Sequence, residues 1–186
     1  MEQEMVLEVK DVDKSFGDVR VLRGVNLGIR RGEIHALMGE NGAGKSTIIK
    51  IISGAYTKDK GTIMIDGTEV EFADPKEAMD AGIRVIHQEI HTVKTLTVAE
   101  NIFLGNYPQT QYGGIDWKKL NEKATEVLGI LGESMDVRQK VEKVSIAGQQ
   151  MIEIAKALSV EPKILIMDEP TAALNDQETE KLFQVL

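Results

Sequence analysis

The residues Gly39-Glu40-Asn41-Gly42-Ala43-Gly44-Lys45-Ser46 fit the spacing G-x-x-x-x-G-K-[ST], and each position has its own chemical reason. Glycines let successive backbone N–H groups converge on a β-phosphate. Lys45 neutralises β- and γ-oxygens, and the Ser46 hydroxyl is a ligand for Mg²⁺. A helix starting at Ser46 adds its positive end to the same place. Such a loop needs an acid at the end of a neighbouring strand to hold the metal. Asp168, directly after the apolar run Ile164-Leu165-Ile166-Met167, is the acid in that position. Glu169 would then face the γ-phosphate and polarise an attacking water as general base. The expected ligand is ATP with Mg²⁺.

The elements that must position these residues can be read from periodicity. Glu33-Ile34-His35-Ala36-Leu37-Met38 predicts a short apolar strand running into the glycines, with His35 a satisfied structural histidine within it. Ile48, Ile51 and Ile52 keep helical spacing until Gly54 stops the helix. Val6 to Val12 and Val19 to Ile29 alternate, and Ile63 to Thr68 predicts a hairpin turning at Asp66-Gly67. A short helix begins at Asp74-Pro75, followed by the strand Arg84-Val85-Ile86-His87. Residues 93–160 predict mostly helix. Thr97-Val98-Ala99-Glu100 reads as a capping box, and Asp116 caps Trp117 to Leu131, whose stripe is Leu120, Ala124, Val127, Leu128 and Leu131. The lone Trp117 is expected to pack. Ser145 caps a further helix with Met151, Ile154, Ala155 and Leu158 on one face. The run ending at Met167 has the pattern of a buried parallel strand. Strands alternating with helices imply an α/β core with an inserted helical subdomain.

Composition narrows the function classes. The 186 residues are 42% hydrophobic and 28% charged, enough for a real core. The 22 basic and 30 acidic residues leave a formal charge of −8, which argues against a phosphate-backbone binder and so against a nucleic-acid partner. No cysteine is present, which excludes a disulfide scaffold, a zinc-thiolate site and a thiol nucleophile. The acidic start lacks the order of a signal peptide, and no apolar run approaches the ~20 residues of a bilayer span. His87 and His91 flank Glu89, but the residue after His87 is Gln88 rather than Glu, so no zinc site is read there. The eight methionines read as core filler, and Arg30-Arg31 and Lys118-Lys119 as solvated charge.

Taken together and in order, the phosphate loop, Gln88, the segment Val144 to Gln150 and Ile164 to Thr171 resemble the ABC transporter ATPases. The resemblance covers nearly the whole chain. It is strongest to the first cassette of the tandem ATPases that drive bacterial import of ribose, xylose or galactosides. The phrases Gly39 to Thr47, Leu96-Thr97-Val98-Ala99-Glu100-Asn101-Ile102 and Met151 to Leu158 carry it. The resemblance implies a P-loop NTPase core with an antiparallel β subdomain and an inserted helical subdomain. It implies nucleotide contacts from Phe16, as the aromatic stacked on adenine, from Gly39, Glu40, Asn41, Gly42, Ala43, Gly44, Lys45, Ser46 and Thr47, and from Asp168. Glu169 and Gln88 become catalytic residues, and Ser46, Gln88 and Asp168 the Mg²⁺ ligands. Ala172-Ala173-Leu174-Asn175 resembles the loop that crosses between two cassettes.

One motif departs from the pattern. The usual L-S-G-G-Q becomes Val144-Ser145-Ile146-Ala147-Gly148, in which Ser145, Ala147 and Gly148 would meet the ATP of an opposing cassette. Loose versions of this motif are a property of the sugar-import subgroup.

The implied function is the ATP-binding and hydrolysing subunit of a membrane transporter importing a sugar, with transmembrane permease subunits and a second cassette as partners. It would be cytoplasmic and peripheral on the inner face of the membrane, without inserting into it. The alternatives are a non-transport soluble ABC ATPase or a nucleotide-binding fragment with little turnover. Family members place a further histidine on the loop after the next strand, touching the γ-phosphate. His35, His87 and His91 all precede Asp168, and the sequence ends at Leu186 inside a helix starting near Asp176. The expectation is one cassette over 1–186, C-terminally incomplete: 1–90 nucleotide-binding core with β subdomain, 91–160 mostly helical, 161–186 returning core strand and helix start. Such a chain, a piece of a longer polypeptide, binds Mg-ATP but hydrolyses it slowly.

Overall fold

A computed structural model describes residues 4–40, 42–168 and 176–185. The chain divides into two compact units, Met1–Arg84 and Val85–Leu186.

The first unit is built on an antiparallel sheet. Strands β1 (Met5–Phe16) and β2 (Val19–Arg30) pair across a turn at Gly17, and β3 (Lys60–Ile65) and β4 (Thr68–Val70) extend the sheet in the order β2-β1-β3-β4. Leu7 opposes Ile65 and Val9 opposes Ile63, and with Val12 and Leu22 these form the buried face. The Asp66-Gly67 turn has φ of 48° and 72° at its two central residues, the pair of positive values that a type I′ hairpin requires. Helix α1 (Lys45–Ile52) buries Ile48, Ile51 and Ile52 as its spacing predicts. It ends where Gly54 turns left-handed at φ 74°. A Cβ there would lie 2.5 Å from the Asp74 carbonyl oxygen, so only glycine lets the chain pass. Asp74 then caps α2 (Pro75–Asp80), accepting from the Glu77 N–H at 3.0 Å, while the Glu77 carboxylate accepts from the Ala73 N–H at 2.7 Å.

Residues 33–38 do not form the expected strand. They make no ladder among the described residues, and Ile34, Leu37 and Met38 are exposed. An apolar run marks a strand only if neighbours supply the hydrogen bonds on its flanks, and this segment has no such pairing. His35 is correspondingly not a buried strand residue. Its Nδ1 lies 3.0 Å from the Glu33 carboxylate. That contact, with the Arg30 N–H, holds the Glu33 carboxyl below the usual carboxylate range.

Strand β5 (Ile83–Ile86), whose last two residues belong to the second unit, pairs with β6 (Ile164–Met167) as a two-stranded sheet. Helices α3 (Val98–Ile102), α4 (Trp117–Ile130) and α5 (Ile146–Leu158) pack on one another, and α6 (Asp176–Val185) adds Leu182 to their core. Thr97 and Glu100 form the expected capping box. Asp116 caps α4 by accepting from the Lys119 N–H at 3.0 Å. Leu120, Ala124, Leu128 and Leu131 are buried as the stripe predicts. Trp117 does not pack: it is 52% exposed, although residue 117 precedes Leu120 and Ala124 by three and seven positions and so lies on the stripe's side of α4. Helix α5 buries Met151, Ile152, Ile154, Ala155 and Ala157, more of its circumference than one face, since α3 and α4 both contact it.

A buried asparagine joins the unit's loops. Asn101 is 3% exposed. Its Oδ1 accepts from the Val93 N–H at 2.7 Å, and its Nδ2 donates to the carbonyls of Val93 and Thr97 at 3.1 and 2.9 Å. The segment it secures pairs with residues 137–142 through Val98 N–H to Gln139 O at 3.0 Å, Ala99 N–H to Val137 O at 2.9 Å and Val141 N–H to Leu96 O at 3.0 Å. Each buried polar group left without a partner costs about 1–3 kcal/mol. Asn101→Ala is therefore expected to destabilise this unit by about 2–3 kcal/mol, read as a lower urea midpoint in the fluorescence of the single tryptophan, Trp117; an unchanged midpoint would count against the clamp.

Candidate nucleotide site

The loop 39–46 is shaped by its glycines. Gly42 and Gly44 have φ of 85° and 94°, the left-handed region where a side chain is strained. Gly44 is the N-cap of α1 and is buried. A Cβ on it would meet only the tip of the Leu22 side chain, at 2.5 Å, and the Val21 carbonyl oxygen at 3.4 Å, so it is the left-handed backbone rather than lack of space that calls for glycine there. The Ala43 N–H closes a turn on the Glu40 carbonyl at 3.1 Å. Asn41 lies outside the described residues.

At the loop's end α1 presents the N–H groups of its first turn, which have no intrahelical acceptors. No acidic side chain occupies that turn to neutralise its positive end. The Lys45 ammonium donates to the carbonyls of Gly39 at 2.6 Å and Glu40 at 3.0 Å. Its charge is thereby folded over the loop, next to the helix terminus. Ser46 is exposed and Thr47 half-buried at the same end. Backbone donors, a helix N-terminus and an ammonium gathered at one loop suit a polyphosphate.

Phe16 lies at the end of β1, half exposed, with its ring edge-to-face with Tyr56 at 5.3 Å between centroids. It belongs to the same unit as the loop.

In the second unit Asp168 follows β6 directly and donates its N–H to the Ile86 carbonyl at 3.0 Å. Gln88 is exposed and two residues past the end of β5, which stops at Ile86, one residue short of the predicted end at His87. Asp168 and the segment bearing Gln88 are thus brought to one end of the β5–β6 pair. Glu169 and Ala172 to Asn175 lie outside the described residues. The His87 and His91 rings meet edge-to-face at 6.1 Å, and His91 Nδ1 lies 2.7 Å from the Glu89 carbonyl.

Ser145 is the N-cap of α5, its Oγ accepting from the Gly148 N–H at 3.1 Å. The glycine at 148 has a packing reason, because a Cβ there would sit 2.5 Å from Val144 Cγ1 and 3.3 Å from Ser145 Oγ. Ala147 is half-buried beside it and Ile146 is exposed. Sequence reasoning missed Gln149, whose Nε2 donates to the Val144 carbonyl at 2.9 Å while its Oε1 accepts from Thr92 Oγ1 at 3.1 Å. This ties the start of α5 to the chain after Gln88. No spacing rule flags such a contact between residues 57 apart.

The profile of the ABC transporter family matches residues 22–172, and the chain belongs to that family. It is 50% identical over 182 residues to the ribose import ATP-binding protein RbsA of Geobacillus kaustophilus, covering 97% of this chain and 37% of that protein. It is 46% identical to the protein of the same name from Caldanaerobacter subterraneus, covering 98% and 37%. The chain thus spans little over a third of the length of these relatives. Among solved structures it is similar to an ABC transporter's ATP-binding cassette in its ADP conformation, with TM-score 0.83 and 27% identity over 97% of this chain and 75% of that one. It is also similar to a dimeric cassette in a post-hydrolysis state with ADP and Pi, with TM-score 0.79 and 29% identity over 96% and 80%. These cassettes share its mixed α/β fold. Among the described residues no helix is long and apolar enough to cross a membrane.

Removing the cap at Ser145 tests the local geometry. Ser145→Ala is expected to cost about 1 kcal/mol of stability and Ser145→Asn to restore most of it, measured by urea unfolding; equal stability of all three chains would show that the hydroxyl does not hold the helix start.

Proposed function

We propose that this chain binds and hydrolyses ATP as the cassette of a sugar-import transporter, acting through transmembrane permease subunits and a second cassette on the cytoplasmic face of a membrane. The observation that carries the ATP reading is the phosphate loop, where left-handed Gly42 and Gly44, the free first turn of α1 and the Lys45 ammonium lie together. The sugar is supported by the two relatives named for ribose import. The second cassette is supported by the dimeric solved neighbour.

In this reading the triphosphate lies along residues 39–47, backbone donors take the β-phosphate, and Lys45 offsets charge on the β- and γ-oxygens. By the family resemblance Ser46, Gln88 and Asp168 would hold Mg²⁺, and their hydroxyl, amide and carboxylate oxygens are the hard donors that ion takes beside phosphate oxygens. Bound there, it supplies charge neutralisation for phosphoryl transfer. Glu169 accepts a proton from water as that water's oxygen bonds to the γ-phosphorus. The bond from that phosphorus to the bridging oxygen breaks, and ADP leaves with the electron pair. Phe16 takes the base. Ser145, Ala147 and Gly148, at a helix N-terminus without acidic neighbours in its first turn, meet the γ-phosphate held by the opposing cassette.

Two measurements test this. Lys45→Ala is expected to lower ATP affinity at least tenfold, about 1.4 kcal/mol, by calorimetry; unchanged affinity removes the phosphate-loop assignment. Glu169→Gln is expected to keep ATP binding and abolish phosphate release, whereas Asp168→Asn weakens the Mg²⁺ dependence of binding. Equal loss of binding in both would show that metal holder and base are wrongly divided.

A further inference from the structure

The loop that follows α1 connects the phosphate loop to the aromatic at the end of β1, entirely within the first unit. The Tyr56 N–H donates to the Lys50 carbonyl at 3.0 Å, anchoring Tyr56 to the last turn of the helix whose first turn follows Gly44. The Lys50 ammonium lies 5.2 Å from the centre of the Tyr56 ring. Three residues later, Asp59 grips the end of β1 from both directions. Its N–H donates to the Asp13 carbonyl at 2.9 Å, and its carboxylate accepts from the Ser15 N–H at 2.7 Å and from Lys14 Nζ at 3.0 Å. Lys14 in turn sits 5.5 Å from the centre of the Phe16 ring.

This grip falls where β1 is irregular, just before its last paired residues, Ser15 and Phe16. Its register against β2 shifts between Val12 and Lys14 and again between Lys14 and Ser15, and such irregularity weakens the ladder that would otherwise orient Phe16. Burial does not hold the aromatic pair either. Phe16 is 43% and Tyr56 37% exposed, far from the enclosure of a core pair. What fixes the Phe16 ring is the edge-to-face contact with Tyr56, the cation beside it, and the carboxylate that pins the cation and the strand. Lys14 and the Ser15 N–H hold the Asp59 carboxyl below the usual carboxylate range, so the pin stays charged at neutral pH.

We propose that Tyr56 and Asp59 are positioning residues that hold Phe16 as a base platform at a set distance from the phosphate loop, with α1 as the spacer. The proposal rests on the nucleotide reading above and adds to it how base and triphosphate are registered. At about 1.5 Å per residue, the eight residues of α1 separate its two ends by about 12 Å. A ligand with both a base and a triphosphate engages both ends of this device, whereas bare polyphosphate engages one.

The test compares Mg-ATP with inorganic tripolyphosphate and Mg²⁺, by calorimetry on the full chain and its variants. Stacking of a base on an aromatic is worth about 1–3 kcal/mol by alanine substitution, so disorienting the ring forfeits part of that. Tyr56→Ala and Asp59→Ala are expected to weaken ATP roughly five- to tenfold and leave tripolyphosphate within twofold, while Tyr56→Phe keeps ATP affinity. A purely structural role would lower both ligands together, and that result overturns the proposal. So does ATP affinity indifferent to Tyr56→Ala and Asp59→Ala in a chain that binds ATP. Failure of the unaltered chain to bind ATP would overturn the nucleotide reading itself.

Discussion

The seat of Gly44 on β2 is the constraint from which the first unit is organised. The loop must reverse just before a helix, and it does so against Leu22 and Val21 in a left-handed conformation, φ 94° at Gly44, that a side chain rarely adopts. That one contact fixes where α1 begins, and hence where unpaired N–H groups and the Lys45 ammonium point. The helix is short, so its own propensity is a weak force. Burial of Ile48, Ile51 and Ile52 holds it in place. The positive end is therefore built by packing on the opposite side of the helix, not by the polar residues that use it.

The second unit solves a different problem, holding a helix start in place with little secondary structure around it. Residues 131–145 are mostly irregular, containing only a short 3₁₀ turn at Val141–Lys143. Their backbone groups are satisfied by pairing with residues 94–99, and that segment is clamped by Asn101. Gln149 closes the arrangement by reaching both Val144 and Thr92. Ser145 is thus located by polar contacts, each of which must be complete, because a half-satisfied buried network costs more than an apolar one. The departure from the family's usual signature sequence fits this picture. Ile146 is turned to the surface, and the glycine has moved to position 148, where Val144 and the capping hydroxyl leave space for nothing larger.

Charge is distributed unevenly with respect to the chain as a whole. The formal charge is −8, yet the first turns of α1 and α5 carry no acidic side chain. At the start of α1 a polyanion would meet the helix dipole and the Lys45 ammonium, with Glu40 the one acid in the sequence of the loop. In the first unit several of those acids serve structure. Asp13 binds the Arg20 guanidinium and the Gly24 N–H, contacts that keep its carboxyl below the usual range. Asp59 does the same for the end of β1. The acidic composition and an anion-binding loop are therefore compatible.

The sequence by itself determined the parts whose cause is local. Left-handed glycines, the Asp66-Gly67 turn, the caps at Asp74, Thr97, Asp116 and Ser145, and the stripes of α1 and α4 each depend on residues a few positions apart, and all are found. The phosphate loop was legible for the same reason, since its chemistry requires particular residues at fixed spacing. Tertiary structure alone decided what depends on a partner distant in sequence. Residues 33–38 have the composition of a strand but no ladder, because hydrogen bonds between strands belong to the pair and not to either member. Trp117 is exposed although it continues the α4 stripe, since periodicity sets which side of a helix is apolar but not how far along it other elements reach. The contacts of Asp59 with Ser15 and of Gln149 with Thr92 follow no periodicity. They exist only once folding has brought the end of one element beside another, and no spacing within the chain encodes that juxtaposition.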